Sequence, residues 1–414
     1  MVLKFFCELK ELKASHLFSI FRSKGSLEKR ILVVIGTLEV GGTEKHIAQI
    51  FPQLQKQGGY KVSICALARL GPLKAEFYKS GVTIFGKDRA VMQKLKSDER
   101  PSIQMRVKNF FLALGRYLRQ VILFYFAVFK FRPDIVHFYL PQSYIIGGVA
   151  SLFIPKVRRI MSRRSLNDYH EHVTGSKIIE SFLHTKMDIV TGNSQAVIDQ
   201  LIEEGVPQGK LKLIYNGVSV REGSTASTTK RGAAVEIICI ANLIPYKGHM
   251  ELLGALAGLP KDLAWHLTCV GSGSEYEKIL MREVAATGIA DRVVFTGSVL
   301  DPTHYLSRAS IAVNCSHQEG FSNAILEYMS FGLAIIATDV GGNAEAIRDE
   351  VDGLIVASQN PSALRQALLR LFNEEFRMEL GTSARRRAVE SFSLKGCLQQ
   401  YNLMYEDLDG SSSA

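Results

Sequence analysis

Two carboxylates and one ammonium carry the chemistry that this sequence offers. Glu319 and Glu327 stand with seven residues between them in EGFSNAILE, and Lys247 stands in LIPYKGHMELL. Ser322 is placed to cap a helix that runs from Asn323 to Met329, with Ala324, Ile325 and Met329 apolar. Glu319 then falls in the loop before the helix and Glu327 one to two turns inside it. The amide hydrogens of a helix start favour an anion. Carboxylates on either side accept hydrogen bonds from sugar hydroxyls, so the pattern suits a polyol phosphate. Lys247, just after a strand and at another helix start, is a mobile point charge for the same anion.

The elements that must position these groups are strands and helices in alternation. Ile31–Ile35 is wholly apolar, as in a strand buried on both faces of a parallel sheet. Strands are expected at Tyr60–Leu67, Val82–Phe85, Asp134–His137, Val157–Met161 and Met187–Val190, and a long helix over Ser102–Phe131. A second series opens at Val235 and continues at Trp265–Val270, Val293–Gly297, Ile311–Asn314 and Ala334–Ala337. Repeated βα units of this kind build doubly wound parallel sheets. The segment at 219–234 is rich in Ser, Thr and Gly and reads as an exposed linker. The chain therefore divides into an N-terminal domain at 31–218, the linker, and a C-terminal domain at 235–392. Residues 393–408 form a last helix, and 1–30 a basic amphipathic extension. That extension reads equally as a helix docked on the core or one lying on a membrane surface.

The stretch EGFSNAILE followed by FGLAIIATDVGGNAEAI resembles the donor site of the retaining GT-B glycosyltransferases, family 4. The resemblance covers roughly residues 31 to 408. It implies two Rossmann-like domains facing a cleft, the last helix packing back on the first. It also implies transfer of a sugar from a UDP- or GDP-linked donor to a hydroxyl of a glycan or lipid-linked acceptor, without a metal or other cofactor. Glu327 would accept from the ribose hydroxyls and Glu319 would orient the transferred sugar. Lys247 and Gly248 would meet the diphosphate, helped by Gly320, Phe321, Ser322 and Asn323. Gly41 and Gly42, with Thr43 able to cap the next helix, would form the glycine loop at the cleft. Where the family often has an arginine this chain has Asn242 among the donor-binding residues, so the second guanidinium is either absent or supplied by Arg163 or Arg164. His137 stands at a strand end where the family often places a functional histidine, although its best catalytic position falls on Tyr139. The leaving phosphate is expected to take the acceptor's proton.

Composition narrows the alternatives. The chain has 414 residues, 47% hydrophobic and 22% charged, enough for two cores. Its net charge of +10 admits nucleic acid, anionic lipid or phosphorylated small molecules, but no zinc-finger or RNA-binding motif supports nucleic acid. Six cysteines lack metal spacing; Cys239, Cys269 and Cys315 lie in or beside apolar runs and read as reduced core residues. The longest apolar run, Val121–Phe129, is too short to span a bilayer, which takes about 20 residues, and the N-terminus lacks the pattern of a secretory signal.

On the long helix, Lys108, Arg116, Arg119 and Lys130 fall within about 80° of one another. Phe110, Phe111, Tyr117, Phe124 and Tyr125 interleave, and Arg158, Arg159, Arg163 and Arg164 follow. This is either a solvated basic face or a patch for anionic headgroups. The expectation is a cytoplasmic protein, peripheral on the inner face of the membrane, in lipopolysaccharide, capsule or exopolysaccharide synthesis. A non-catalytic GT-B scaffold and a nucleotide-sugar 2-epimerase are the alternatives. An epimerised donor formed without acceptor would mark the second. A glycan unchanged by Glu319→Ala but lost on deletion of the protein would mark the first.

Overall fold

The computed structural model describes residues 28–88, 103–166, 174–220 and 234–410. The amphipathic extension up to residue 27 and the linker residues 221–233 lie outside the described residues. Thirteen labelled strands form two wholly parallel sheets. Seven belong to the N-terminal domain: β1 (Lys29–Thr37), β2 (Tyr60–Arg69), β3 (Thr83–Phe85), β4 (Ile135–Tyr139), β5 (Arg158–Arg163), β6 (Ile189–Gly192) and β7 (Leu211–Leu213), in the order β3-β2-β1-β4-β5-β6-β7. Six belong to the C-terminal domain: β8 (Val235–Ile240), β9 (Trp265–Val270), β10 (Val293–Phe295), β11 (Ile311–Asn314), β12 (Ala334–Thr338) and β13 (Leu354–Val356), in the order β10-β9-β8-β11-β12-β13. Both orders reverse beside their first strand. The crevice at the carboxyl ends of the strands is where such sheets bind ligands.

β1 shows why a continuous apolar run was required: Ile31, Val33 and Ile35 point to one core layer and Leu32 and Val34 to the other, all fully buried. The first layer is completed by the Gly42–Gln57 helix and by the Leu394–Gly410 helix. From the latter, Leu394, Cys397, Leu398, Tyr401, Met404, Tyr405 and Leu408 enter the N-terminal core. The chain crosses between domains a second time at Phe392–Leu394, against Val218: Val218 N donates to Phe392 O at 2.9 Å and Leu394 N donates to Val218 O at 2.9 Å. β7 and β13, each three residues long, have no expected strand in the sequence.

Three expectations change. Helix Gly42–Gln57 starts two residues earlier than a Thr43 cap allows; Gly41 is the N-cap, and no side chain caps it. Phe124 is fully buried and Tyr125 donates its hydroxyl to Ala150 O at 2.9 Å, so both serve the core and not an outer aromatic face. The helix that contains Val121–Phe129 is far longer than that run. It spans Ile103–Phe131, and within it Phe111–Phe131 is long and apolar enough to cross a membrane by length and composition, at mean hydropathy 1.4. Counting only uninterrupted apolar residues stopped the sequence reading at Gln120.

Candidate functional site

A cavity of about 680 Å³ lies between the domains. Its floor on the C-terminal side is the loop from Cys315 to Ser322, between β11 and the Asn323–Phe331 helix. That loop is fixed by a buried polar network. Asn314, at the end of β11, donates to Ser322 Oγ at 3.0 Å, and Asn343 donates to Asn314 Oδ1 at 3.2 Å and to Thr338 O at 3.0 Å. Thr338 Oγ1 donates to Ser316 O at 2.6 Å. Ser322 is the N-cap, its Oγ accepting from Ile325 N at 3.4 Å. Gly341 and Gly342 press against the loop from behind. Gly341 has φ +50°, and a Cβ there would meet Glu319 O at 1.8 Å; Gly342 N donates to Gly320 O at 2.9 Å. The Gly-Gly pair thus sets the height of Glu319.

Glu319 Oε1 accepts from Lys247 Nζ at 2.6 Å, from Ser316 Oγ at 2.8 Å and from Asn314 Nδ2 at 3.4 Å. Lys247 arrives on a 3₁₀ turn, Pro245–Lys247, that ends at Gly248 with φ +72°. A Cβ on Gly248 would lie 1.8 Å from Cys315 O, so only glycine brings this turn against β11. Burial disfavours the charge on Lys247, but Glu319 more than offsets it, and the ammonium is held above its ordinary range. Lys247 also lies over the Tyr246 ring at 5.2 Å.

Glu327 lines the same wall two turns away, and its Oε2 is buried without a hydrogen-bond partner. Burial pushes its carboxyl up; Lys45 of the other domain opposes that shift and Asp301 adds to it. An unfilled buried acceptor facing a cleft is what a ribose hydroxyl would satisfy.

The N-terminal domain supplies the opposite wall. Gly42 O accepts from Asn323 Nδ2 at 2.7 Å, and Asn216 Nδ2 donates to Asn323 Oδ1 at 2.6 Å and to Phe321 O at 3.2 Å. Lys45 and Arg164 bring two further cations to the cavity. Of the two arginines expected to replace the missing one at Asn242, Arg163 is committed elsewhere. It is buried and pairs with Glu180 at 2.7 Å and Glu204 at 2.9 Å. Arg164 lines the cleft. Gly41, Asn242, Gly320 and Phe321 line it too; Gly248 does not, and acts through the turn.

His137 is a correction. β4 runs on to Tyr139, so His137 is inside the strand, paired in register with Ile160, and it is fully buried outside the cavity lining. Its Nδ1 lies 2.7 Å from Tyr405 Oη and its Nε2 2.7 Å from Ser162 Oγ. Burial first, and Arg164 second, lower its pKa to about 3, leaving a neutral ring with both nitrogens engaged. Tyr139 is equally enclosed, 3.0 Å from Tyr401 Oη. Both bind the last helix to the first domain.

A residue without a sequence-assigned role is Glu345. Its carboxylate accepts from Gln195 N at 2.7 Å and Ala196 N at 3.0 Å, the first amides of the Gln195–Glu203 helix, and from Tyr215 Oη at 2.9 Å. An acid of one domain thereby caps a helix of the other.

Residues 40–222 match the profile described as Glycosyltransferase Family 4, and residues 234–374 that of Glycosyl transferases group 1. The chain belongs to glycosyltransferase family 4 and has the GT-B fold. Among relatives of this family 4 chain, the N-acetyl-alpha-D-glucosaminyl L-malate synthase of Bacillus anthracis is 28% identical over 229 residues, 53% of this chain and 60% of that one. A Campylobacter jejuni N-acetylgalactosamine-N,N'-diacetylbacillosaminyl-diphospho-undecaprenol 4-alpha-N-acetylgalactosaminyltransferase is 25% identical over 247 residues, 57% of this chain and 66% of that one. The alignments thus span about three fifths of the length of the curated relatives. Anabaena HepE in complex with UDP and glucose superposes with a TM-score of 0.77 at 19% identity, covering 92% of this chain and 100% of that one. Among the described residues, no group of three or more His, Cys, Asp or Glu side chains is placed to hold a metal ion.

Proposed function

We propose that this family 4 chain transfers a hexosyl group from a UDP- or GDP-linked donor to a hydroxyl of a glycan or lipid-linked acceptor, with retention at the anomeric carbon. The observation that carries this is the Lys247–Glu319 pair at 2.6 Å on the cleft wall that also carries the unpartnered Glu327 oxygen. These three groups match the three parts of a nucleotide sugar. The diphosphate lies against Lys247 and the first amides of the Asn323–Phe331 helix. Arg164 and Lys45 face it from the other domain. Together they stabilise the charge that grows on the leaving phosphate as the glycosidic bond breaks. Glu327 holds the ribose, and Glu319 orients the transferred sugar while keeping Lys247 protonated. Since His137 is withdrawn into the core, the leaving phosphate itself is the group that accepts the acceptor's proton. The donor is the only small molecule that this reaction needs besides the acceptor.

The Campylobacter jejuni relative, whose name carries a diphospho-undecaprenol lipid, and the basic helix of the first domain support a peripheral protein at the inner face of the cytoplasmic membrane. The process served is surface polysaccharide or lipopolysaccharide assembly. A thermal-shift panel of UDP-, GDP- and ADP-sugars tests the donor, because a ligand that binds only the folded chain raises its melting temperature. Release of UDP or GDP on addition of acceptor extract tests transfer. No shift with any nucleotide sugar, and no nucleotide release, would refute the reading.

A further inference from the structure

The fold uses only the last third of the Ile103–Phe131 helix. Phe124, Ala127, Val128 and Phe131 are buried against the sheet. N-terminal to Gln120 the described large apolar side chains stand in solvent: Phe111 is 63% exposed, and Leu112, Leu114, Tyr117 and Leu118 are each more than half exposed. The direction of this segment follows from its connections. The helix ends at Phe131 and β4 starts at Ile135, so its C-terminus lies at the N-terminal edge of the sheet and it runs antiparallel to the strands. At 1.5 Å per residue the 29 residues span about 43 Å, while the ten residues of β2, against which the helix packs, span about 33 Å. The surplus carries the N-terminal end of the helix past the carboxyl edge of the sheet, the edge that bears the cleft.

The chemistry of this arm is one-sided. Residues 103–131 contain Arg106, Lys108, Arg116, Arg119 and Lys130 and neither Asp nor Glu. One helix layer across, on Thr174–Lys186, Ile178 is 72% exposed and Phe182 half exposed, with Lys186 over the Phe182 ring at 5.3 Å. The acid of that helix, Glu180, is buried on Arg163 and does not reach the outer face. Large apolar side chains exposed in this number on one helix segment mark an interaction site. Cations without anions around it match a surface of anionic headgroups with hydrocarbon beneath. The buried end of the helix ties it to the sheet, so the arm lies along a bilayer and does not cross one.

We propose that this arm, with Ile178 and Phe182, docks on an anionic lipid bilayer and sets the mouth of the interdomain cleft against it. The acceptor is then a membrane lipid bearing the hydroxyl that receives the sugar. The acceptor half of this inference rests on the transferase reading; the docking half does not. The full chain is sedimented with vesicles of phosphatidylcholine alone or mixed with phosphatidylglycerol. Two variants are compared with it, Phe111→Ser/Leu114→Ser/Leu118→Ser and Arg116→Glu/Arg119→Glu, all at exposed positions. Wild type is expected to sediment with the phosphatidylglycerol vesicles and to be released by salt. Each arginine removed should weaken binding by about fivefold, and the triple variant should lose it by more than tenfold with its UDP thermal shift intact. Wild type that ignores both vesicles, a triple variant that binds like wild type, or a wild-type dimer that the triple variant dissolves would overturn docking; the last would mean that a second copy covers the arm. Equal transfer to soluble and vesicle-borne acceptor extract would overturn the lipid acceptor. Absence of any UDP shift in wild type would count against the donor reading and leave the vesicle result standing.

Discussion

Replacing Glu319 by glutamine separates the two jobs assigned to it. The amide keeps an oxygen for Ser316 Oγ, so the loop network survives, but the negative partner of Lys247 is gone. Both side chains are largely buried, 17% and 13% exposed, so the pair is little screened. A hydrogen bond to a charged group contributes about 1.5–3 kcal/mol net, which is about ten- to hundredfold in an equilibrium constant. In the wild type a diphosphate must share Lys247 with Glu319. In Glu319→Gln it need not, so UDP should bind as well as before or up to about tenfold tighter. Transfer should nonetheless fall by about 10²–10³, the usual cost of removing one preorganised group from a transition state. Calorimetry with UDP and a nucleotide-release assay measure the two numbers. If UDP affinity falls in parallel with transfer, Glu319 only shapes the loop and the assignment is wrong. If neither changes, the donor does not sit here.

The remaining predictions concern titration and domain contact. Burial raises the pKa of Glu327 above 4.5, so folding favours its protonated form and its contribution to stability is lost as pH rises through that raised value. Glu327→Gln should therefore melt higher than wild type at pH 8 and converge with it near pH 4.5, while binding UDP more weakly; a lower melting temperature at pH 8 would contradict this. For His137 the sign is opposite. Its folded pKa of about 3 lies below the unfolded 6.5, so stability present above pH 6.5 is lost on acidification, about 2 kcal/mol by pH 5. His137→Gln should flatten that acid slope in denaturant titrations, leaving the share due to His46, which burial also lowers, and the pH–rate profile should keep its shape. Glu345→Ala removes the cross-domain acceptor of the first two amides of the Gln195–Glu203 helix, leaving Ser194 as its N-cap, and should cost about 1–3 kcal/mol, with domain closure, read by a fluorophore pair across the cleft, less complete. An unchanged stability would show the cross-domain bonds to be incidental.

The C-terminal wall of the cleft was legible because its signals are local. Ser322 as cap, the helix behind it and the strand Ala334–Thr338 follow from neighbours in sequence, and Lys247 with Gly248 from a strand–turn–helix pattern. The opposite wall was not, because it is made by residues that meet only after two domains fold. Nothing near Glu345 announces a helix 150 positions away. Arg163 and Arg164 are adjacent and chemically identical; the end of β5 decides between them, Arg163 as its last residue turning to Glu180 and Arg164 just beyond it lining the cleft. His137 misled because the end of β4 was placed two residues early. Helix length was legible in the 102–131 pattern, but exposure was not: an apolar stretch reads alike whether it meets core or lipid.

The seven side chains that the Leu394–Gly410 helix lends to the first core have a consequence for biosynthesis. A ribosome makes residues 31–218 first, yet that unit lacks part of its interior until position 408 has left the exit tunnel. The second unit, whose two core layers draw on residues between Val218 and Phe392, can close before the last helix is made while the earlier one waits. The order of completion during translation should run against the order of synthesis, and early stalling should yield an N-terminal fragment that chaperones hold.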